Sequence, residues 1–359
     1  MATFLVMAGG TGGHVFPALA LADALRARQH RVVWMGTPAG IEARLVPAAG
    51  FPIEWITVTG LRGQGLARWL AAPWALLRAL WQAERALARV APAAAVGMGG
   101  FASGPGGLAA WLRRVPLLVH EQNAVPGLTN RVLTRLATRS FEAFPGSFAR
   151  GRATCVGNPV RPAIAALAPP GARAAGRSGA LRLLVLGGSQ GARALNEVVP
   201  QALARLVPGA RPQVRHQAGP KLLDAARAAY AAAGVDAELS AFVDDMAAAY
   251  GWADLVVCRS GAMTVSELAA AGVAAILVPF PAAVDDHQTA NARWLADAGA
   301  ARLMPEAGLS AATLAAALVE LGARPALLAM AERARALAPA DATAALLAAC
   351  EALAGEASR

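Results

Sequence analysis

The sequence predicts an α/β protein made of two similar halves, each a parallel sheet with helices on both faces. Short apolar runs alternate with stretches of helical length along the whole chain, the pattern of βαβ units. A strand leading into a glycine-paired turn and then a helix opens the chain, with Phe4, Leu5, Val6 and Met7 running into Gly9-Gly10-Thr11-Gly12-Gly13-His14. The same device recurs near the middle, where Leu183 and its neighbours run into Gly187-Gly188-Ser189-Gln190-Gly191. At 359 residues the chain exceeds one typical core, so two domains are expected.

Taken in order, strands are expected at 3–8, 31–35, 53–57, 94–97, 116–120, 138–141 and 153–156 in the first half. In the second they fall at 182–187, 213–217, 237–241, 254–258, 275–279 and 301–303. Gly157-Asn158-Pro159-Val160-Arg161-Pro162 and the Pro, Gly and Arg-rich stretch to Gly179 read as the linker. The domains expected are 1–158 and 159–338. A last helix in 339–359 is free to pack on either.

Hydrophobic residues make up 56% of the chain and charged ones 16%, which places it among folded globular proteins. The long uncharged stretch 268–284 contains Gly272, Pro279 and Pro281, which fit a helix end, a buried strand and a turn better than a membrane span. No basic residues precede the first apolar run, so no signal peptide is expected and the protein reads as cytoplasmic. The net charge of +10 suits nucleic acid, an anionic membrane surface or phosphorylated substrates. No nucleic-acid motif or aromatic-basic interleaving supports the first of these. Cys155, Cys258 and Cys350 lie far apart, without metal-type spacing, and read as mostly buried reduced thiols.

The first glycine loop is built for an anion, because its backbone amides converge without Cβ obstruction and the next helix adds its positive end. It is not a nicotinamide-type fingerprint: Val15 stands at the third glycine position, and Val33-Trp34-Met35-Gly36 supplies no acidic ribose partner. His14 sits at the start of the helix, where the positive dipole end opposes imidazolium, and is a candidate general base; a structural histidine is the plainer alternative. Six glycines crowd 97–107, and His120-Glu121-Gln122-Asn123 places four polar side chains at the C-terminal end of a strand, the ligand edge of an open α/β sheet.

The most specific segment runs from Cys258 through Ser260-Gly261-Ala262-Met263-Thr264-Val265-Ser266-Glu267 to Asp285-Asp286-His287-Gln288-Thr289-Ala290-Asn291. A strand ending at Ser260-Gly261 opens a helix and offers amides to a diphosphate. Glu267 can accept both hydroxyls of a ribose; a capping box with Thr264 is the alternative. The amides of Gln288 and Asn291 suit sugar hydroxyls. No Asp-x-Asp metal site occurs, so helix ends rather than a divalent cation would neutralise a leaving diphosphate, and no cofactor is expected.

Gly9 to Pro17, Gly99 to Pro105, His120 to Gly127, Gly157 to Arg161, Gly187 to Gly191 and Ser260 to Glu267 together resemble the MurG family of bacterial N-acetylglucosaminyltransferases, six motifs in order over most of the chain. The resemblance implies a GT-B fold, two Rossmann-like domains with a cleft between them. It implies UDP-N-acetylglucosamine as donor and undecaprenyl-diphospho-N-acetylmuramoyl-pentapeptide, lipid I, as acceptor, with inversion at the anomeric carbon to give lipid II. Glu267 would then bind the ribose, Val243 border the uracil, and Ser189 with the amides of Ala262, Met263, Thr264 and Val265 hold the diphosphate, beside Ser266. Gln288, Asn123 and Arg161 would contact the donor, and Thr11, Gly12 and Gly13 would serve the acceptor diphosphate or the donor sugar. His14 would be the base or orient the acceptor. Phe101, where the family commonly has Tyr, and His287, where Gln can occur, are departures.

Trp74, Arg78, Trp81, Arg85 and Arg89 fall on one helical stripe after Pro73, and Trp111 with Arg113 and Arg114 extends it. With a lipid-borne acceptor this stripe suits peripheral attachment to the anionic cytoplasmic face of the inner membrane; core tryptophans with solvated arginines are the alternative. No nucleic-acid partner is expected. Rival readings are another GT-B enzyme, such as a UDP-sugar epimerase or a transferase with a different acceptor, and a silent nucleotide-sugar binding protein.

Overall fold

The computed structural model describes residues 1–58, 66–149 and 151–357. Contacts divide them into two units, Met1–Pro159 with Ala340–Arg359, and Val160–Pro339. The first unit carries β1 (Thr3–Met7), α1 (Gly12–Ala27), β2 (Arg31–Gly36), α2 (Glu42–Ala48), β3 (Ile53–Trp55), α3 (Leu66–Val90), β4 (Ala94–Gly97), α4 (Ser103–Leu112), β5 (Leu117–Glu121), α5 (Leu128–Leu133), β6 (Arg139–Glu142) and β7 (Thr154–Cys155). Its sheet is parallel throughout, in the order β3-β2-β1-β4-β5-β6-β7. Both faces are covered by helices, so β1, β4 and β5 are almost entirely buried, as their unbroken apolar runs require.

The second unit begins with two short helices, α6 (Pro162–Ala165) and α7 (Pro170–Ala174), then alternates β8 (Arg182–Leu186), α8 (Arg193–Ala204), β9 (Gln213–Gln217), α9 (Leu223–Ala233), β10 (Glu238–Ser240), α10 (Met246–Trp252), β11 (Leu255–Cys258), α11 (Ala262–Ala271), β12 (Ala274–Leu277), α12 (His287–Ala296), β13 (Ala301–Leu303), α13 (Ala311–Glu320) and α14 (Arg324–Leu337). Its parallel order, β10-β9-β8-β11-β12-β13, repeats that of the first unit. In each sheet the winding reverses beside the first strand, between β1 and β4 and between β8 and β11, and the loops leaving those strands form the crevice of a doubly wound sheet.

Two expectations change, and the open placement of the last helix is resolved. The stretch to Gly179 is not an open linker, because prolines start α6 and α7 and arginines tie the segment to the second unit. Arg177 pairs with Asp254 at 2.5 Å, Arg173 donates to Gly272 O at 2.6 Å and Arg335 to Ala165 O at 3.0 Å. The basic stripe belongs to a helix that starts before Pro73, which lies inside α3 and leaves only one ladder position without a donor. Finally, α15 (Ala342–Ala357) returns to the first unit, packing on α1 and β4 with Leu346, Cys350 and Leu353 fully buried. The apolar stretch Arg324–Glu356 is thus two helices, α14 and α15, separated at residues 338–341.

Candidate active site

In the first unit the candidate site forms where β1 and β4 end. α1 starts at Gly12 with Thr11 as an extended N-cap whose side chain makes no capping bond, so first-turn amides remain for a ligand. Thr11 is exposed, and Gly12, Gly13 and His14 are half-buried. The loop is held from behind by Glu42, a fully buried carboxylate that sequence reasoning missed: it accepts from Gly10 N at 2.9 Å, Thr37 N at 3.0 Å and Thr37 Oγ1 at 2.8 Å. A carboxylate two residues past Gly40 in another loop carries no pattern that would reveal this. From the other side Ser103 Oγ, at 2.7 Å from both Met7 O and Gly99 O, ties the turn after β4 to β1. Gly99 and Gly100 adopt φ of +94° and +85°, and a Cβ on Gly99 would lie 2.7 Å from His14 Nδ1. Only glycine lets that turn close over the histidine.

The polar run after β5 is not a row of ligand-facing groups. His120, Glu121 and Gln122 are buried; Asn123 alone is partly exposed. Glu121 accepts from Asn123 N at 2.9 Å, Asn123 Nδ2 at 3.2 Å, Gly127 N at 3.2 Å and Asn130 Nδ2 at 2.9 Å, so its role is to shape the loop and aim Asn123. Gln122 Oε1 lies 2.8 Å from His14 Nδ1, and Gln122 Nε2 lies 3.0 Å from His120 Nδ1. His120 Nε2 lies 2.8 Å from Gly157 O. Burial pushes the His120 imidazole down to about 4, against the opposing bond to Gly157 and with a further lowering from His14.

In the second unit Gly188 of the turn after β8 is pinned by Gln217, whose Oε1 accepts from Gly188 N and whose Nε2 donates to Gly188 O, both at 3.0 Å. Ser189 stands exposed on that turn. Gly261 is the extended N-cap of α11. Val265 does not offer its amide as expected, because it already donates to Gly261 O at 3.0 Å and its side chain is fully buried. The amides of Ala262, Met263 and Thr264 precede the first helical hydrogen bond and are the group aimed outward; Ser266 is half-buried. Val243 lines a cavity of about 170 Å³ with Leu184, Gln217, Ser240, Phe242 and Asp245.

Glu267 is the sixth residue of α11 and forms no capping box. Its Oε1 accepts from Arg161 Nε at 3.1 Å and Nη2 at 2.8 Å, and its Oε2 from the Tyr250 hydroxyl at 3.2 Å. Burial raises the Glu267 carboxyl above its ordinary value, while Arg161 and the two hydrogen bonds oppose the shift. Tyr250, fully buried, is raised further by burial and by the adjacent carboxylate. Gln288 gives its side-chain carbonyl to Phe280 N at 2.9 Å and its backbone carbonyl to Ser260 Oγ at 2.8 Å, so what it can present to a ligand is its NH₂ donor. Arg259 fixes the same loop by donating to Val278 O and Pro279 O, both at 3.2 Å.

The second unit contains a helix N-terminus suited to a diphosphate and a carboxylate in a donor cage suited to vicinal hydroxyls; the first contains a histidine beside a glycine turn. Two doubly wound parallel sheets with such loops at their switch points have the architecture of the GT-B glycosyltransferases. The Glycosyltransferase family 28 N-terminal domain matches residues 4–142 and the Glycosyltransferase family 28 C-terminal domain residues 182–346. The chain is 63% identical over 319 residues to a Chromohalobacter salexigens protein named UDP-N-acetylglucosamine–N-acetylmuramyl-(pentapeptide) pyrophosphoryl-undecaprenol N-acetylglucosamine transferase, covering 88% of this chain and 87% of that one. A Nitrosococcus oceani protein of the same name is 62% identical over 320 residues, covering 89% of each. Among solved structures, Acinetobacter baumannii MurG superposes with a TM-score of 0.87 at 42% identity, over 98% of this chain and all of that one. The calicheamicin glycosyltransferase CalG4, at 19% identity and a TM-score of 0.70, shares the fold. The chain belongs to the MurG family of glycosyltransferase family 28.

On the first unit, Trp74 and Trp81 are 76% and 58% exposed and Trp111 is 48% exposed, so these tryptophans are not core. Arg78 and Arg85 are exposed, and the Arg85 guanidinium stacks 4.7 Å from the Trp81 ring. α3 packs against α4 and α4 against α5, and Leu77, Leu112 and Leu128 on these helices are exposed as well.

Proposed function

We propose that this chain transfers N-acetylglucosamine from UDP-N-acetylglucosamine to the C4 hydroxyl of undecaprenyl-diphospho-N-acetylmuramoyl-pentapeptide, converting lipid I to lipid II with inversion at the anomeric carbon. The observation that carries the reading is the 62–63% identity to transferases of that name over almost nine-tenths of the chain. His14 Nε2 takes the proton of the C4 hydroxyl as its oxygen bonds to C1, and the C1–O bond electrons leave with UDP. The amides of Ala262, Met263 and Thr264, with Ser189, receive the diphosphate charge, Glu267 and Arg161 hold the ribose end, Val243 borders the base, and Gln288 and Asn123 contact the sugar. Thr11, Gly12 and Gly13 receive the acceptor diphosphate. The second unit thus carries the nucleotide, and the first carries the acceptor and, through Asn123, one contact to the transferred sugar.

The exposed tryptophan, leucine and arginine face of α3, α4 and α5 supports peripheral attachment to the anionic cytoplasmic face of the inner membrane, where each basic residue near the surface is worth about 1 kcal/mol. The test is incubation of the purified protein with UDP-N-acetylglucosamine and the lipid-linked acceptor. Stoichiometric release of UDP with a disaccharide-lipid product is expected, and UDP release without that product would overturn the reading. His14→Ala is expected to lower kcat by about 10² to 10⁴ with UDP affinity nearly intact.

A further inference from the structure

The hydrogen-bond chain behind His14 has one consistent direction. Gly157 O can only accept, so His120 Nε2 carries a proton. The buried His120 ring holds a single proton at neutral pH, which leaves its Nδ1 as a lone pair. The group 3.0 Å from that lone pair must be a donor, which fixes the Gln122 side chain with Nε2 toward His120 and Oε1 toward His14. The same Nε2 also donates to His120 O at 3.2 Å, and Asn158 Nδ2 holds Gln122 O at 3.0 Å. Oε1 then accepts from His14 Nδ1–H at 2.8 Å. Neutral His14 is thereby held with Nδ1 protonated and Nε2 bare, although free imidazole side chains prefer the opposite tautomer.

We infer that Gln122 and His120 are positioning residues that lock His14 in the tautomer whose Nε2 can accept the hydroxyl proton, with the Gly157 carbonyl as the fixed end of the chain. The inference rests on the reading of His14 as the base. Gln122 and His120 touch no substrate in this scheme; both are fully buried, and they act through His14. An amide serves here where hydrolase triads use a carboxylate, orienting the ring without adding a charge.

The test combines spectroscopy and kinetics. In the wild-type protein with ¹⁵N-labelled histidine, of which the chain has five, His14 is expected to show a protonated Nδ1 and a bare Nε2. The Gln122→Met variant is expected to move His14 toward the Nε2-protonated form and to lower kcat about 10²-fold with an unchanged KM for UDP-N-acetylglucosamine. The His14→Gln/Gln122→Met double variant is expected to be no slower than His14→Gln alone, whereas general structural damage would add to it. A wild-type His14 protonated on Nε2, or a Gln122→Met variant with unchanged tautomer and kcat while His14→Gln is inactive, would overturn the positioning role alone. Full kcat in His14→Gln would instead overturn the base on which it depends.

Discussion

Glu267 shows how a proposed role can be read from a motif while the setting of the side chain cannot. Its place in the Ser260-Gly261-Ala262-Met263-Thr264 context marks it as a ribose ligand by resemblance, but nothing near it in sequence reveals Tyr250 or the bidentate Arg161. Tyr250→Phe removes one donor from a buried carboxylate, so the KM for UDP-N-acetylglucosamine is expected to rise about tenfold with kcat little changed. Glu267→Ala should raise it further, and an unaltered KM in steady-state assays would refute the ribose role. The buried histidines set a pH dependence. Burial lowers His120 to about 4 and His216 to about 3, so below pH 6.5 the unfolded chain binds protons that the folded chain refuses. Stability is therefore complete above pH 6.5 and is lost as the pH falls toward 4, by about 3 kcal/mol for His120 alone. Urea midpoints measured from pH 7 to pH 5 should fall accordingly. His216 Nε2 has no partner among the described residues, and His216→Leu should weaken the dependence.

Among elements, strands were the most legible. Parallel strands buried on both faces are short apolar runs, and every expected one is present within a residue or two at each end. β12 stops at Leu277 because Pro279 has no amide to extend the ladder. Loops were less legible, since polar residues at a strand end look alike whether they face a ligand or one another. His120-Glu121-Gln122 proved to be internal architecture, and Glu42, which holds the first glycine turn, carried no signal at all. Glu42→Ala leaves two backbone amides and a hydroxyl without an acceptor, a cost of about 3 kcal/mol; a lower denaturation midpoint with disturbed turnover is expected. The stripe on α3 was readable by spacing, while its exposure was not, because tryptophan beside arginine also describes a core helix. Replacing Trp74, Trp81 and Arg85 by alanine is expected to reduce retention on anionic liposomes about tenfold or more in pelleting assays, without loss of folding. Full retention would place the membrane surface elsewhere.

For the whole molecule, the alternation of strands and helices indicated two parallel sheets, but strand order depends on pairings such as Phe4 with Ala94 and Leu183 with Leu255, and the destination of the last helix on contacts such as His30 with Glu351, 321 positions apart. No local pattern encodes that Leu353 packs with α1. The residues proposed to hold UDP, Arg161, Ser189, Val243, Ala262, Met263, Thr264 and Glu267, all lie within Val160–Pro339, one uninterrupted segment. A fragment of that segment is expected to fold and bind UDP with near-native affinity by calorimetry. Deleting 342–359 should instead destabilise the first unit by an amount on the order of 5 kcal/mol, through loss of Leu346, Cys350 and Leu353 from its core, while UDP binding survives. The return of α15 also orders events during synthesis. The first unit leaves the ribosome first but waits for its closing helix while all of Val160–Pro339 is translated, roughly 10 to 40 s at 5–20 residues per second. During that interval the apolar surface that later receives α15 is open, so the N-terminal unit of the nascent chain exposes a chaperone-binding surface until the last helix has been made.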